Sequence, residues 1–486
     1  MLVRTIQEWA AVQPQALAIE QHGDEISYQR FLSLIAAFQA PLLAHGSETP
    51  ATAVILTQDL ADSWIMSLAV RALGWDAIVV QRAEALAALD LRNAGILLAN
   101  DELRQSLAAA AAPLGENIPV VAIPRRTATD SKPDVPRQRD RFGSQILYTT
   151  GTTGRHKKVE MAGALEDARN QYRAASFGVT RDTVAYTNLS PFCGAGFKTP
   201  SSVWHSGGTM VFDETLDLLP HLERHGVNCV LVGPNQLRSL VAAGPLPETV
   251  RHSFEIVYTS GPLPLDLAQR AAEGLSRDIR VYWGATEIIG RPLRTSFRDL
   301  DDLLWLTPEP GRDIAILRDD GSPCDIDEEG TLAIGLAPVD ASAYLDDPQA
   351  TARFFRDGRF VPGDRAVRRS DGRIRLLGRE ADVIVIRGQK ISVHPIEQAV
   401  QNYLKAEEVC IFAEMNAAGE EEALVAVRIG RDITRDEMRE LVTRHLPFEL
   451  VRFARLSEFP KSEGAFGKTL RAELRKMLLA ARPGQR

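Results

Sequence analysis

The chain has 486 residues, 45% hydrophobic and 25% charged, with a formal net charge of −8. That length exceeds one ordinary hydrophobic core and predicts two or three domains. The negative balance argues against a nucleic-acid binder held by bulk positive charge, and no stretch is apolar for long enough to insert into a membrane.

The four cysteines (Cys193, Cys229, Cys324, Cys410) form no CxxC pair and have no histidine cluster beside them. That speaks against a zinc site or a disulfide framework and for a reducing compartment. The first residues, MLVRTIQEWAAVQPQ, lack the apolar core and cleavage site of a signal peptide, so the cytoplasm is expected.

Residues 1 to about 115 read as alternating helices and strands. A helix over Thr5 to Val12 precedes a strand at Leu17 to Glu20, and Ser27 can cap a helix from Tyr28 to Leu43. Strands at Ala53 to Leu56, Ala77 to Val80 and Gly95 to Ala99 enclose a helix from Ala61 to Ala72. Such alternation predicts an α/β fold with a parallel sheet and helices on both faces. Ile123 to Phe142 is rich in Pro, Arg and Asp and reads as an exposed loop, its five arginines a solvated face.

That loop delivers the chain to SQILYTTGTTGRHKKV (Ser144 to Val159), a short apolar strand running into Thr150-Gly151-Thr152-Thr153-Gly154. Glycines let the backbone turn and present N–H groups to one side, while threonine hydroxyls and lysines add donors and positive charge. The combination suits a polyphosphate, although no Walker loop is present. A polar turn after a strand is the plain alternative.

After a helix from Leu165 to Ser176, the segment LSPFCGAGFKTPSS (Leu189 to Ser202) reads as a Gly-rich aromatic loop, either lining an apolar pocket or making a turn. FEIVYTSG is a strand ending at Ser260-Gly261, followed by a helix over Leu265 to Leu275. Ile279 to Glu287, IRVYWGATE, brings an aromatic, a glycine, a threonine and a glutamate to a strand's carboxyl end, where open α/β sheets bind ligands. Trp283 offers a flat face for a purine, Thr286 a hydroxyl for a phosphate and Glu287 an oxygen for Mg²⁺. Alternatively Trp283 is core and Glu287 a surface charge.

Residues 309 to 378 read as β-rich, with VPGD at Val361 to Asp364 and a hairpin carrying Arg365, Arg368, Arg369, Arg373 and Arg375. From Ala381 the pattern is strand-turn-strand, a helix from His394 to Leu404, two strands, a helix from Asp436 to His445 and a basic helix from Leu470. About a hundred residues suffice for a domain. PKSEGAFGKTLR places Lys468 just before that last helix.

Taken together, GTTGRHKK, YWGATE, VPGD, LLGREADVIVIRGQKI and FGKTLR stand in the order and approximate spacing of the adenylate-forming enzymes. The chain resembles that superfamily of acyl- and aryl-CoA synthetases, peptide-synthetase adenylation domains and luciferases along its whole length. The resemblance implies a large N-terminal α/β domain, residues 1–379, and a small α+β lid, residues 380–486, that rotates over the active site.

By the same resemblance, Thr149 to Gly154 and Lys157 hold the ATP β- and γ-phosphates, and Ser260, Gly261 and Gly284 border the nucleotide. Trp283 stacks on adenine, Thr286 meets the α-phosphate and Glu287 ligates Mg²⁺. Asp364 grips the ribose, helped by Arg379, and Lys468 bridges the substrate carboxylate and α-phosphate. Phe192, Cys193, Gly196, Ile288 and Gly290 would line the acid pocket. Cys193 stands where neither the Asp of amino-acid activators nor the His of many acyl-CoA synthetases is found, which makes an amino acid a poor substrate.

His156 and Lys158 replace the usual Pro and Gly beside the loop lysine, and Ala381 takes the usual hinge Asp or Lys. The implied activity is AMP-forming ligation of an aryl or acyl carboxylic acid to the phosphopantetheine thiol of CoA or of an acyl carrier protein. A stand-alone carrier-loading protein and a nucleotide-binding regulator without catalysis are the alternatives; retention of Glu287 and Lys468 counts against the last.

Overall fold

The computed structural model describes residues 1–45, 51–91, 93–100, 103–104, 118–126, 134–150, 156–416, 418–461 and 469–480. Two large sheets form the frame. Six parallel strands at the heart of the first are Ile279–Trp283, Glu255–Tyr258, Cys229–Val232, Val184–Thr187, Thr209–Phe212 and Leu17–Gln21, in that spatial order. Antiparallel strands extend both edges. The second sheet orders Val120–Ala122, Ala94–Ala99, Thr52–Leu56, Asp76–Val80, Gln145–Thr150 and His156–Met161, antiparallel only at the last pairing. Runs such as Ala53-Val54-Ile55-Leu56 are apolar throughout because helices cover both faces, and all four residues are buried.

The core between helices and sheets centres on Trp204, which meets Trp64 edge-on at 4.9 Å and tilts against Phe31 at 5.1 Å. Its indole N–H donates to the Ala18 carbonyl at 2.8 Å, so its own burial leaves that N–H paired. Ser27 caps its helix as expected, accepting the Arg30 N–H at 3.2 Å. That helix stops at Phe38 instead of running to Leu43. Pro41 has no N–H to donate to Ala37, and buried Gln39 turns its side-chain amide to Ala69 and Arg137 carbonyls.

Three further expectations are corrected. Gly194–His205 is a helix, not a loop, its first turn capped by Cys193 Sγ accepting the Gly196 N–H at 3.4 Å. Arg126 is not on a solvated face: it pairs with Asp59 at 2.6 Å and Asp62 at 3.0 Å. The helix expected over Asp436 to His445 is Arg435–Glu440 continued by a wider π-type turn, Leu441–His445.

A third, β-rich sheet follows, built on Ile314–Leu317, Glu329–Gly335, Asp364–Arg368 and Ile374–Arg379. Its arginines are engaged within the fold: Arg369 and Arg373 hold Asp301 at 3.0 and 2.8 Å, and Arg365 holds Glu329 at 3.0 Å. One turn, Glu380–Asp382, leads to a small C-terminal region with a hairpin (Val383–Ile386, Gln389–Ser392) and a three-stranded sheet. This region has hydrophobic clusters of its own, around Val400, Ile411 and Val425 and around Leu424 and Leu474. No helix among the described residues is long and apolar enough to cross a membrane.

Candidate active site

Strand Ile279–Trp283 ends at the surface of the first sheet and releases the loop 284–290. That loop is fastened from two distant segments. Lys198, on the helix Gly194–His205, donates to the carbonyls of Ala285 at 2.9 Å and Ile288 at 2.8 Å. Asp340 accepts the Ile289 N–H at 2.7 Å and is itself held by Arg312 at 2.6 Å. The Ala341 N–H donates to the Glu287 carbonyl at 2.9 Å. Gly194 packs so closely on Thr286 that a Cβ there would lie 2.9 Å from the threonine hydroxyl, which explains a glycine at the helix start.

Glu287 is 5% exposed, and its Oε1 accepts the Tyr344 hydroxyl at 2.6 Å. Burial and the neighbouring carboxylate push the Tyr344 phenol far above its ordinary value, so it stays a donor. Burial pushes the Lys198 ammonium down to about 7; Arg173 adds to this, while Glu287 and Asp340 oppose it.

The two lysines after the phosphate-loop candidate separate because successive strand residues point to opposite faces. Lys158 is buried and pinned by Asp90 at 3.0 Å and Asp346 at 3.2 Å. Lys157 instead lies over the rings of Phe354 (4.3 Å) and Tyr344 (5.2 Å). Burial lowers its pKa, Glu287 opposes that, and Arg379 and Arg353 reinforce it. Asp364 and Arg379 face each other across paired strands with a 2.7 Å ion pair, and Arg379 also donates to the Pro362 carbonyl at 2.9 Å. Thus the charges of Lys157, Glu287 and Arg379 interact, and Arg379 pairs with Asp364, which gathers four groups drawn from residues 157 to 379.

Among the described residues, the buried Thr149 hydroxyl has no hydrogen-bond partner. Ser260 adopts φ +78°, a left-handed conformation that a side chain rarely takes and that clusters at ligand sites. Gly261 beside it packs against Pro234. Trp283 is partly buried and packs against the main core, and Gly284 follows it into the loop. The side chain of Thr150, together with Gly151, Thr152, Thr153, Gly154 and Lys468, lies outside the described residues.

The AMP-binding enzyme family model matches residues 6–339. The chain belongs to that family. It is 28% identical over 400 residues to novobiocin biosynthesis protein H of Streptomyces niveus, covering 77% of this chain and 66% of that protein. It therefore spans slightly less than two thirds of that relative's length, and 64% of triostin synthetase I of Streptomyces triostinicus at 27% identity over 67% of this chain. The fold matches o-succinylbenzoate CoA synthetase from Bacillus subtilis in complex with its acyl-adenylate, with TM-score 0.82, 20% identity and 99% of both chains covered. The α/β architecture with a small C-terminal region is the same.

In this AMP-binding enzyme the five residues expected to line the acid pocket are mostly engaged in packing. Phe192 stacks on Tyr148 with centroids 5.7 Å apart, Cys193 caps its helix, and Ile288 is 2% exposed. Gly196 touches Ser190 so tightly that no Cβ would fit, and Gly290, at φ +93°, packs against Tyr172. A pocket of about 300 Å³ opens elsewhere, lined among others by Arg173, Phe177, Thr199, Leu231 and Glu255; Phe192, Cys193, Gly196, Ile288 and Gly290 do not line it.

Reading the sequence missed Tyr344, Lys198 and Asp340. Lys198 left a signal, a lone charge within a segment of small and apolar residues (GFKTPSSVW). Tyr344 and Asp340 left none, because only the fold brings them to Glu287 and Ile289.

Proposed function

We propose that this protein is an AMP-forming ligase that activates a non-amino carboxylic acid as its acyl-adenylate and transfers the acyl group to a phosphopantetheine thiol, on CoA or on an acyl carrier protein. The observation that carries the reading is the gathering of Lys157, Glu287, Asp364 and Arg379 within reach of one another's charges, with Thr286 on the same fastened loop as Glu287. A binder of nucleotides alone has no use for a buried carboxylate beside a half-buried lysine. The names of its relatives and structural neighbours support CoA ligation as one arm of the proposal.

In the first step a substrate carboxylate oxygen forms a bond to the α-phosphorus of ATP, and the bond to pyrophosphate breaks. Repulsion between two anions is the obstacle. Cationic groups in a water-poor cleft reduce it, and we assign Lys157 to the outer phosphates and Lys468 to the carboxylate and α-phosphate. Thr286 donates to the α-phosphate, Trp283 covers the purine, and Asp364 with Arg379 holds the ribose. Glu287 suits Mg²⁺: it is a buried carboxylate oriented by Tyr344. When bound, the ion neutralises phosphate charge. In the second step the thiol sulfur bonds to the acyl carbon and AMP leaves, after residues 380–486 rotate as a lid.

Pyrophosphate exchange with a panel of aryl and acyl acids tests the first step. Exchange dependent on one class of acid is expected, and none with any acid would reject the proposal. Adding CoA or holo carrier protein to the active acid then identifies the acceptor by which one gains a thioester.

A further inference from the structure

A second cluster lies on the first sheet, away from the cleft. His221 and His225 are four residues apart on the helix Leu218–His225, which places both rings on one face; the rings lie 6.1 Å apart at 27°. That face covers the end of strand Leu17–Gln21, where Glu20 is 1% exposed. One ligand atom from each of Glu20, His221 and His225 lies within 4.8 Å of the others. We propose that these three side chains form a site for a borderline divalent transition metal, of which Zn²⁺ is the natural occupant.

Four observations carry this. The donor set is two imidazoles and one carboxylate, which suits zinc rather than the hard ions Mg²⁺ or Ca²⁺. Glu20 is oriented by the Gly23 N–H, which donates to Oε1 at 2.9 Å. Its buried Oε2 stands 3.0 Å from His221 Nδ1, yet no well-directed hydrogen bond reaches that oxygen among the described residues. An anionic oxygen in that position is costly unless a cation meets it, and a metal ion can take that place from a protonated His221.

The fourth is the outer support that a metal-bound imidazole usually has. The far nitrogen of His221, Nε2, faces Asp213 Oδ2 at 3.7 Å. Asp213 is fixed by Tyr186 at 2.7 Å and by the Thr215 and Asp217 N–H groups, both at 2.8 Å. Three protein ligands leave a fourth position for water.

The absence of a cysteine pair argued against zinc, but it bore only on thiolate sites. Here Glu20 is far in sequence from the two histidines and only the fold assembles the three. Strand Leu17–Gln21 stands five strands from Ile279–Trp283 in the sheet, roughly 24 Å at about 4.8 Å per strand. The site is therefore distinct from the cleft, and its expected effect is to tie the first strand to the helix 218–225.

The test uses tag-free, full-length protein stripped with a chelator and dialysed, titrated with ZnCl₂ alone and with CoCl₂ alone. We expect one Zn²⁺ per chain, a rise of several degrees in Tm, and visible Co²⁺ absorption of a four-coordinate site. His225→Gln, at a half-buried position, should weaken Zn²⁺ binding at least 10-fold, with metal-free Tm and pyrophosphate exchange unchanged. Glu20→Gln should weaken it similarly. Zn²⁺ uptake that is equal in wild type and His225→Gln, or absent from the wild type, would overturn the site and leave the cluster a plain histidine–carboxylate ion pair.

Discussion

The loop 284–290 and the region after Asp382 are attached to the molecule in opposite ways. The loop is buried from Glu287 onward, and Lys198 on one side and the adjacent Asp340 and Ala341 on the other hold its backbone from two distant segments. The C-terminal region has its own hydrophobic clusters and meets the rest through polar contacts at its margin. Among them are Ser392 to Glu329 at 2.9 Å, the Leu265 N–H to Asn402 at 3.3 Å and Arg238 to the Glu407 carbonyl at 3.4 Å. Exposed contacts of this kind contribute little and break easily. Groups that meet charge developing on the nucleotide must not reorganise, whereas a group needed in only one of two steps has to be removable. We read the fastened loop as the first kind and the C-terminal region, with Lys468, as the second.

The sharpest way to break that contrast is Lys468→Ala. Adenylate formation, measured by pyrophosphate exchange, should fall about 10²–10³-fold, the usual loss for one donor to a developing charge. Thiolysis of a supplied acyl-adenylate should stay largely intact. Equal loss of both steps would mean that the lysine is not confined to one of them.

On the fixed side, Lys198→Met leaves the carbonyls of Ala285 and Ile288 without their buried donor, a cost of about 1–3 kcal/mol per unpaired group. Exchange should drop together with Tm. Lys158→Met, which breaks the pins to Asp90 and Asp346 instead, should lower Tm with a smaller change in the KM for ATP. If the two variants have the same kinetic signature, the loop clamp is not specific to the site. Tyr344→Phe is milder: losing one hydrogen bond to Glu287 should raise the Mg²⁺ concentration needed for half-maximal exchange about 5–10-fold, near 1 kcal/mol.

On the mobile side, Ala381→Asp restores a charge at the start of the lid next to Asp382, which pairs with Arg471 at 3.3 Å. It should change the thioester step and leave adenylation near wild type; impaired adenylation with an unchanged second step would remove the hinge from residue 381.

Much of this layout was legible because it rests on local rules. Apolar four-residue runs marked the strands, Ser27 marked a helix start, and the ordered motifs marked Lys157, Glu287, Asp364 and Arg379. The failures share another cause. Gly194, Gly196 and Pro200 read as loop residues, yet close contact with Thr286 and Ser190 requires the glycines within a helix. Arg126 read as solvent-facing because its partners, Asp59 and Asp62, lie more than sixty residues away, and the hairpin's Arg369 and Arg373 likewise meet Asp301 only through the fold. Tyr344 and Asp340 belong to the same class: their role arises from what the sheets bring near.

The smallest effect on turnover is expected at the seam between the two regions. His394 opens the helix His394–Leu404 and packs against Gly378, where an added Cβ would come within 2.8 Å of it. Burial, together with the positive charges of Arg471 and Arg375, pushes its pKa from 6.5 down to about 4. Between those values the unfolded chain takes up a proton that the folded chain refuses, so stability falls as pH drops from about 6.5 to about 4 and is constant with respect to this group above 6.5. The contribution is on the order of 3 kcal/mol over that window. His394→Gln should remove it, seen as a flatter dependence of the urea midpoint on pH than in wild type. Arg375 precedes residue 380 and Arg471 follows it, so a rotated lid would take His394 away from one of its two cations. Holding the enzyme in its thiolysis state should therefore raise the histidine's pKa towards 6.5, measurable by NMR. A value near 4 in both states would place the pivot elsewhere than between Arg379 and Val383.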